Sequence, residues 1–238
     1  MLLTSLMSTA TAKLPVERAM PPLAGATTWL NSPPLTPGDL RGKVVLVDFW
    51  TYTCINWRRT MPWLRAWAAK YADQGLVVIG VHTPEFGFER DLDNVRREAT
   101  AQEVGYPIAV DSSYAIWDAF GNQYWPALYF VDSQGRIRHH QFGEGGYDEL
   151  EGVIQQLLLE AGQQSFDRKL VQVEGRGAEA EAAWDDLRSP ETYLGSARSG
   201  SFASLRDVLP DRRRLFAFPM RLKLNEWALA GDWMMNDE

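Results

Sequence analysis

At 238 residues, with 45% hydrophobic and 23% charged residues, the chain has the composition of a globular protein with room for one domain and an attachment, or for two small domains. Its formal net charge of −7 argues against a nucleic acid or an anionic membrane as partner, because both attract a basic face. We therefore expect neither partner.

The single cysteine, Cys54, excludes a disulfide within the chain and favours a reducing compartment. Residues 1–12 lack the basic start and the apolar run of a signal peptide, and no later stretch approaches the roughly 20 apolar residues of a membrane span. The expected location is therefore the cytoplasm. A thiol with no partner inside the chain can also pair between two chains, so a disulfide-linked dimer in air stays open.

In chain order, residues 13–42 are rich in Pro, Gly and Thr and predict an extended entry with turns. The apolar run at 43–50 predicts a strand buried on both faces. Apolar residues then recur every three or four positions from Trp57 to Tyr71, which predicts a helix that begins near Cys54 and is kinked at Pro62.

The rest of the chain alternates in the same way. Further strands are predicted at 76–81, 108–110, 127–131 and 136–142, the last two antiparallel across a turn, and helices at 88–103, 113–120 and 148–161. This order predicts an α/β fold in which helices cover both faces of a central mixed sheet.

The character of the sequence changes after about residue 167. Residues 174–183 are rich in Gly, Ala and Glu and are typical of a linker, and 189–238 carries short aromatic segments without an evident core. The expected organisation is therefore an N-terminal extended segment at 1–35, an α/β domain at 36–166, and a linker with a C-terminal extension at 167–238.

Cys54 lies where the buried strand gives way to the helix. The first backbone N–H groups of a helix have no partner within it, and the helix dipole places positive potential there, so this position favours the nucleophilic thiolate. Arg58 and Arg59 would add positive charge if they folded back on the sulfur. We interpret Cys54 as a reactive thiol; the alternative is a buried, inert cysteine.

No cofactor and no metal are expected. His139 and His140 are adjacent, so on a strand they point to opposite faces. His82 and Glu85 follow a buried strand at the edge where ligands gather in open α/β sheets, and Glu85 is a candidate supporting residue.

Several separate segments resemble known families. Asp48-Phe-Trp50 followed by Cys54, Pro62 and Trp125-Pro126 resembles the thioredoxin skeleton. The stretch WTYTCINW at 50–57, with VHTPEF at 81–86 and NQYWPA at 122–127, is similar to TlpA/DipZ-type redoxins, which are AhpC/TSA-like proteins. The resemblance covers about residues 20–165, and 189–195 and 225–233 resemble the start of the β-rich module that follows in that family.

This resemblance implies a thioredoxin-like fold and a role for each matching residue. Cys54 matches the attacking cysteine, Asp48 the buried acid that moves a proton to or from the thiol, and Pro126 the cis-proline whose neighbouring backbone pairs with a substrate chain. The aromatic residues around them would form a groove for a peptide or a thiol: Trp50, Tyr52, Trp57 and Trp125.

The chain departs from the family at position 57, where Trp replaces the second cysteine of Cys-x-x-Cys. Because a dithiol reductase needs that second thiol to resolve its mixed disulfide, a dithiol cycle is not expected. Two thiol-dependent functions stay open. The first is monothiol exchange with a protein disulfide, with a low-molecular-weight thiol or a thiol protein as electron donor. The second is one-cysteine peroxide reduction, in which Thr51 matches the Thr-x-x-Cys of peroxiredoxins.

The alternative outside enzymology is a binding module that keeps the thioredoxin fold without its chemistry. Trp57 would then fill the core or the groove, and the C-terminal segment would serve as an interaction arm.

Overall fold

A mixed sheet organises the first part of the chain. The computed structural model describes residues 13–188, 190–204 and 210–237, and these divide into two compact units at residues 181 and 182. In the described part of the first unit, seven strands pair in the order β1-β7-β6-β3-β4-β5-β2, with β3, β4 and β5 parallel and every other pair antiparallel. The predicted α/β, thioredoxin-like fold is confirmed.

The elements follow the predicted order. The strands are β1 Arg18–Ala19, β2 Thr28–Leu30, β3 Val44–Trp50, β4 Leu76–His82, β5 Ile108–Val110, β6 Ala127–Val131 and β7 Arg136–Phe142. The helices are α1 Ile55–Tyr71, α2 Leu92–Ala101, α3 Ala115–Phe120 and α4 Tyr147–Glu160, with short 3₁₀ turns at Ala72–Gln74, Gly87–Arg90 and Gly177–Glu179.

The centre of the sheet is buried on both faces because its strands are apolar throughout. Every residue of β3 is buried. Helices α1, α2 and α4 pack on one face, whereas α3 and the entry segment, through Leu23 and Leu40, cover the other. Helix α1 includes Pro62 within its span from Ile55 to Tyr71.

Helix α2 begins later than predicted. The segment that the sequence indicates as one helix at 88–103 is divided by Asp91, whose carboxylate accepts hydrogen bonds from the N–H groups of Asp93 and Asn94 and caps α2. The preceding residues form the 3₁₀ turn Gly87–Arg90. The loop between β4 and α2 therefore contains this turn, and it lies beside the candidate site.

Residues 163–181, here called the strap, include part of the predicted linker and lie against α1 and α4. The buried carboxylate of Glu151 accepts the Val171 N–H at 2.8 Å, and Arg65 pairs with Glu179 through two nitrogens at 2.9 and 2.6 Å. These contacts make the strap part of the first compact unit.

The second unit begins at residue 182. Its strands β8 Arg213–Phe216 and β9 Gly231–Met234 form an antiparallel pair, and Phe216 and Met235 are buried. Across the described residues of the whole chain, the helices are all too short or too polar to span a bilayer.

Candidate active site

Cys54 lies at the junction between the central strand and the first helix. It is the N-cap residue of α1, with extended backbone angles of −66° and 112°, and the Arg58 N–H donates to its carbonyl at 3.0 Å. The side chain is half-buried, and its sulfur lies 3.7 Å from the carbonyl oxygen of Trp125. The Trp125–Pro126 peptide bond is cis. The fold therefore brings the thiol onto the proline loop, although the two are 71 residues apart in sequence.

The backbone of α1 contributes positive potential at the sulfur. Its first N–H groups start directly after Cys54, and unpaired N–H groups at a helix start favour an anion. The two nearby arginines have other partners. Arg58 donates to the Tyr52 carbonyl at 3.1 Å and lies 3.8 Å from Glu98, and Arg59 pairs with Glu144 at 2.8 Å.

Asp48 is a fully buried carboxyl group beneath this junction. Its Oδ2 atom accepts two hydrogen bonds, from the Trp57 indole at 2.9 Å and from the Tyr106 hydroxyl at 3.2 Å. Burial raises the pKa of Asp48 to about 7, against the opposing effect of these two hydrogen bonds. Near neutral pH this carboxyl group is therefore present in both its charged and its neutral form.

Trp50 and Trp57 belong to the core, which corrects the prediction that they line an open groove. Both are fully buried, and their rings stack with centroids 4.3 Å apart. Trp57 occupies the inward face of the first turn of α1, so its indole reaches Asp48 rather than the surface. Of the predicted aromatic set, Tyr52 keeps 5% exposure, and Trp125 is half-buried beside the thiol.

The loop after β4 is held to the Cys54 junction by a residue that the sequence analysis missed. Glu89 is fully buried; its Oε1 atom accepts the Thr53 hydroxyl at 2.6 Å, and its Oε2 atom accepts the N–H groups of Glu85 and Phe86 at 2.7 and 2.9 Å. The predicted supporting residue Glu85 contributes a backbone N–H to this arrangement. The capping pattern that a sequence can show pairs Ser or Thr with a glutamate three positions later, and Phe86 stands at the first of these positions, so the sequence offered no such signal for Glu89.

Thr51 and Tyr52 are turned inward at the end of β3. The Thr51 hydroxyl is fully buried and makes no hydrogen bond with any residue in the described ranges. The Tyr52 hydroxyl donates to the Phe88 carbonyl at 3.2 Å, and burial together with the charge of Glu89 raises the pKa of Tyr52 to about 12. Tyr52 is therefore neutral at any physiological pH.

The histidines on β7 lie outside this site. His140 places its Nδ1 atom 2.8 Å from the Glu17 carboxylate, next to the edge strand β1. Where side chains are described, no three or more His, Cys, Asp and Glu residues are grouped so that they could hold a metal ion.

Comparison with known proteins assigns this geometry to a class. The AhpC/TSA family matches residues 30–140. The thiol-disulfide oxidoreductase YkuV of Bacillus subtilis is 34% identical over 145 residues, which are 61% of this chain and 97% of YkuV. A solution structure of a thioredoxin-like protein in the oxidized form shares 36% identity at a TM-score of 0.55 and covers 60% of this chain and 96% of its own. The chain therefore belongs to the thioredoxin-like redoxin family.

A more extended similarity includes the second unit. Protein DipZ of Mycobacterium bovis is 40% identical over 224 residues, which are 91% of this chain, and the thioredoxin-like C-terminal domain family matches residues 189–238. The chain spans 31% of the length of DipZ.

Proposed function

We propose that this chain is a single-cysteine thiol–disulfide oxidoreductase, which forms a mixed disulfide at Cys54 and passes it to an external thiol. The observation that carries the proposal is the placement of the Cys54 sulfur at the start of α1, against the Trp125 carbonyl of the cis-proline loop. Similarity to YkuV supports the same class of chemistry. Trp57 supports the single-cysteine form, because an indole cannot resolve a mixed disulfide.

The proposed cycle has two exchange steps. The Cys54 thiolate attacks one sulfur of a partner disulfide; a Cys54–partner S–S bond forms, the partner S–S bond breaks, and the departing sulfur takes the electron pair and a proton. An external thiolate then attacks the partner's sulfur in the mixed disulfide; a donor–partner S–S bond forms, the Cys54–partner S–S bond breaks, and the Cys54 thiolate is restored with its electron pair. We propose a protein disulfide as substrate and a low-molecular-weight thiol or a thiol protein as donor, which a reducing compartment such as the cytoplasm supplies.

Peroxide reduction by Cys54 is the second candidate. The Thr51 hydroxyl supports it, since this group makes no hydrogen bond with a described residue and belongs to the Thr-x-x-Cys spacing. We rank it second because Thr51 is fully buried and because Arg58 and Arg59 are each engaged by a glutamate. A peroxidase polarises its substrate with a cation and a hydroxyl beside the thiolate.

The test follows the two steps by mass spectrometry. Reduced protein is mixed with glutathione disulfide or with a disulfide-bonded peptide, and Cys54→Ser is the control. We expect a mixed disulfide to form at Cys54 faster than it forms on free cysteine. This mixed disulfide should persist when no thiol is added and should disappear when glutathione is added. Formation no faster than on free cysteine contradicts the proposal and favours a binding module. Rapid trapping of a sulfenic acid by a stoichiometric peroxide pulse, without disulfide exchange, favours the peroxidase.

A second variant tests the role assigned to position 57. Trp57→Cys restores the Cys-x-x-Cys spacing, and we expect it to release the mixed disulfide without added thiol. Trp57→Phe is the matched control, because it also removes the indole but provides no thiol. Equal lifetimes of the mixed disulfide in the two variants would show that position 57 is not placed to resolve it.

A further inference from the structure

Four buried polar atoms lie behind the Cys54 junction without a hydrogen-bond partner among the described residues. They are Asp48 Oδ1, Trp50 Nε1 and both ring nitrogens of His82. All three residues are fully buried. A buried polar group without a partner costs about 1–3 kcal/mol, and native proteins satisfy most such groups with protein atoms or ordered water.

The strand register places these atoms in one region. In the parallel pair of β3 and β4, Asp48 lies beside Gly80 and Trp50 lies beside His82. Alternate residues of a strand face the same side, so all four positions face α1. A Cβ atom built on Gly80 would lie 2.7 Å from Trp50 Nε1, so the indole N–H lies over Gly80, the residue that the sheet pairs with Asp48. The Trp50 ring meets the His82 ring edge-on, with centroids 4.9 Å apart.

The donors and acceptors of this set are complementary to one small ligand. Trp50 Nε1 is a donor, a charged Asp48 Oδ1 is an acceptor, and a neutral imidazole offers one of each. A water molecule that accepts from Trp50 can donate to both Asp48 and His82, and a buried water typically has two to four such partners. We propose that Asp48, Trp50 and His82 enclose an internal water site, and that His82 is a positioning residue whose ring holds this water against the Asp48 carboxylate.

The remaining groups around the site do not titrate near neutral pH. Burial lowers the pKa of His82 to about 3, so its ring is neutral. Tyr106 contacts Asp48, Tyr52 stacks on His82 at 5.7 Å, and burial raises the pKa of both tyrosines. The charged groups that act on this region do so through the tyrosines: Arg65 through Tyr106, and Glu89, Glu98 and Arg97 through Tyr52. Asp48 is therefore the group whose charge changes in the physiological range, and the water is placed to stabilise its charged form.

The first measurement detects the water directly in the reduced, ¹⁵N-labelled wild-type chain. We expect a nuclear Overhauser contact between a long-lived water and the Trp50 indole proton, and a second contact at the His82 ring. Gly80→Ala, whose Cβ would push on the indole, should weaken the first contact. Absence of any water contact at Trp50 in the wild-type chain would overturn the proposal, whatever the disulfide chemistry of Cys54 proves to be.

The second measurement follows the Asp48 carboxyl carbon by NMR as the pH is raised. In His82→Leu the water loses one of its two acceptors and is held less firmly against Asp48, so we expect the midpoint to rise by about half to one pH unit. His82→Gln keeps a hydrogen-bond acceptor and should restore the wild-type midpoint of Asp48. His139→Leu, which removes an imidazole from β7, is the control and should leave that midpoint unchanged. A midpoint unchanged in His82→Leu refutes the positioning role. If that variant does not fold, the water contact at the His82 ring of the wild-type chain decides, and its absence refutes the positioning role.

Discussion

Replacing Trp57 by Phe tests the hydrogen bond that links this residue to the buried carboxyl group of Asp48. The indole N–H donates to Asp48 Oδ2 at 2.9 Å and lowers the pKa that burial raises. A hydrogen bond to a charged group contributes about 1.5–3 kcal/mol. Because one pKa unit corresponds to about 1.4 kcal/mol, its loss should raise the pKa of Asp48 from about 7 to roughly 8–9.

The shape of the stability curve follows from the sign of this change. Asp48 has a pKa near 3.9 when unfolded and about 7 when folded, so the folded state binds the extra proton between these values. The contribution of Asp48 to the free energy of unfolding is therefore highest below about pH 4 and falls by about 4 kcal/mol as the pH rises to about 7. In Trp57→Phe the fall should continue to about pH 8–9, with a further loss of about 1.5–3 kcal/mol.

The assay is urea unfolding at a series of pH values between 5 and 9, with Asp48→Asn as the reference that removes this titration. Trp67→Phe is the matched control. It also removes a buried indole of α1, but that indole donates to Glu151, whose pKa is lowered. The loss of unfolding free energy in Trp67→Phe should therefore be nearly constant above pH 6. A Trp57→Phe curve that runs parallel to wild type between pH 7 and 9 would refute the reasoning.

Two further predictions concern packing and the loop after β4. Gly80→Ala should lower the free energy of unfolding by about 1–3 kcal/mol, because its Cβ would lie 2.7 Å from the Trp50 indole. Gly105→Ala is the control: a Cβ at that position has no atom within 4 Å, so the same urea titration should show a far smaller effect. Glu89→Gln should cost about 1–3 kcal/mol and speed amide hydrogen exchange at residues 85 and 86, since its carboxylate accepts three hydrogen bonds. Glu85→Gln keeps the backbone N–H that Glu89 binds, so equal exchange rates in the two variants would contradict this role.

The central elements could be predicted from the sequence because their signals are local. The apolar run of β3 and the three- and four-residue spacing of α1 are each complete within a short window, and both boundaries agree with the structure to about one residue. The position of Cys54 as N-cap follows directly from where these two signals meet. The interpretation of Cys54 as a candidate nucleophile therefore depends on signals that are local in the sequence.

The edge strands β1 and β2 could not be predicted in the same way. They contain two and three residues, too few to show a period, and they lie in a segment rich in Pro and Gly. Their partners are remote: Arg18 pairs with Ile137 and Thr28 with Val110. Such strands form because the sheet offers an edge, which is a property of the folded domain.

The side-chain contacts of the strap could not be predicted either, because they join residues that are remote in sequence. Its composition is typical of a linker, yet Glu151 accepts the Val171 N–H and Arg65 pairs with Glu179, 114 residues away. Similarly, an aromatic residue close to a reactive cysteine in sequence suggests a groove, whereas the orientation of α1 turns Trp57 into the core. Sequence spacing predicts which face of a helix is apolar, but not which buried acid an indole on that face will contact.

The presence of a costly buried carboxyl group at Asp48 argues for chemistry at Cys54 over an inert fold. A buried carboxyl group with a pKa of about 7 costs about 4 kcal/mol at neutral pH, and an apolar residue at the same strand position would carry no such cost. The neighbours of Asp48 reduce this cost without removing it, since Trp57 and Tyr106 donate to one oxygen while the other has no described protein partner. A module that only binds would become more stable with Asp48→Leu and would keep its function. We expect this variant to be more stable than wild type at pH 8 and slower in disulfide exchange at Cys54. Unchanged exchange rates would show that the carboxyl group does not serve the thiol.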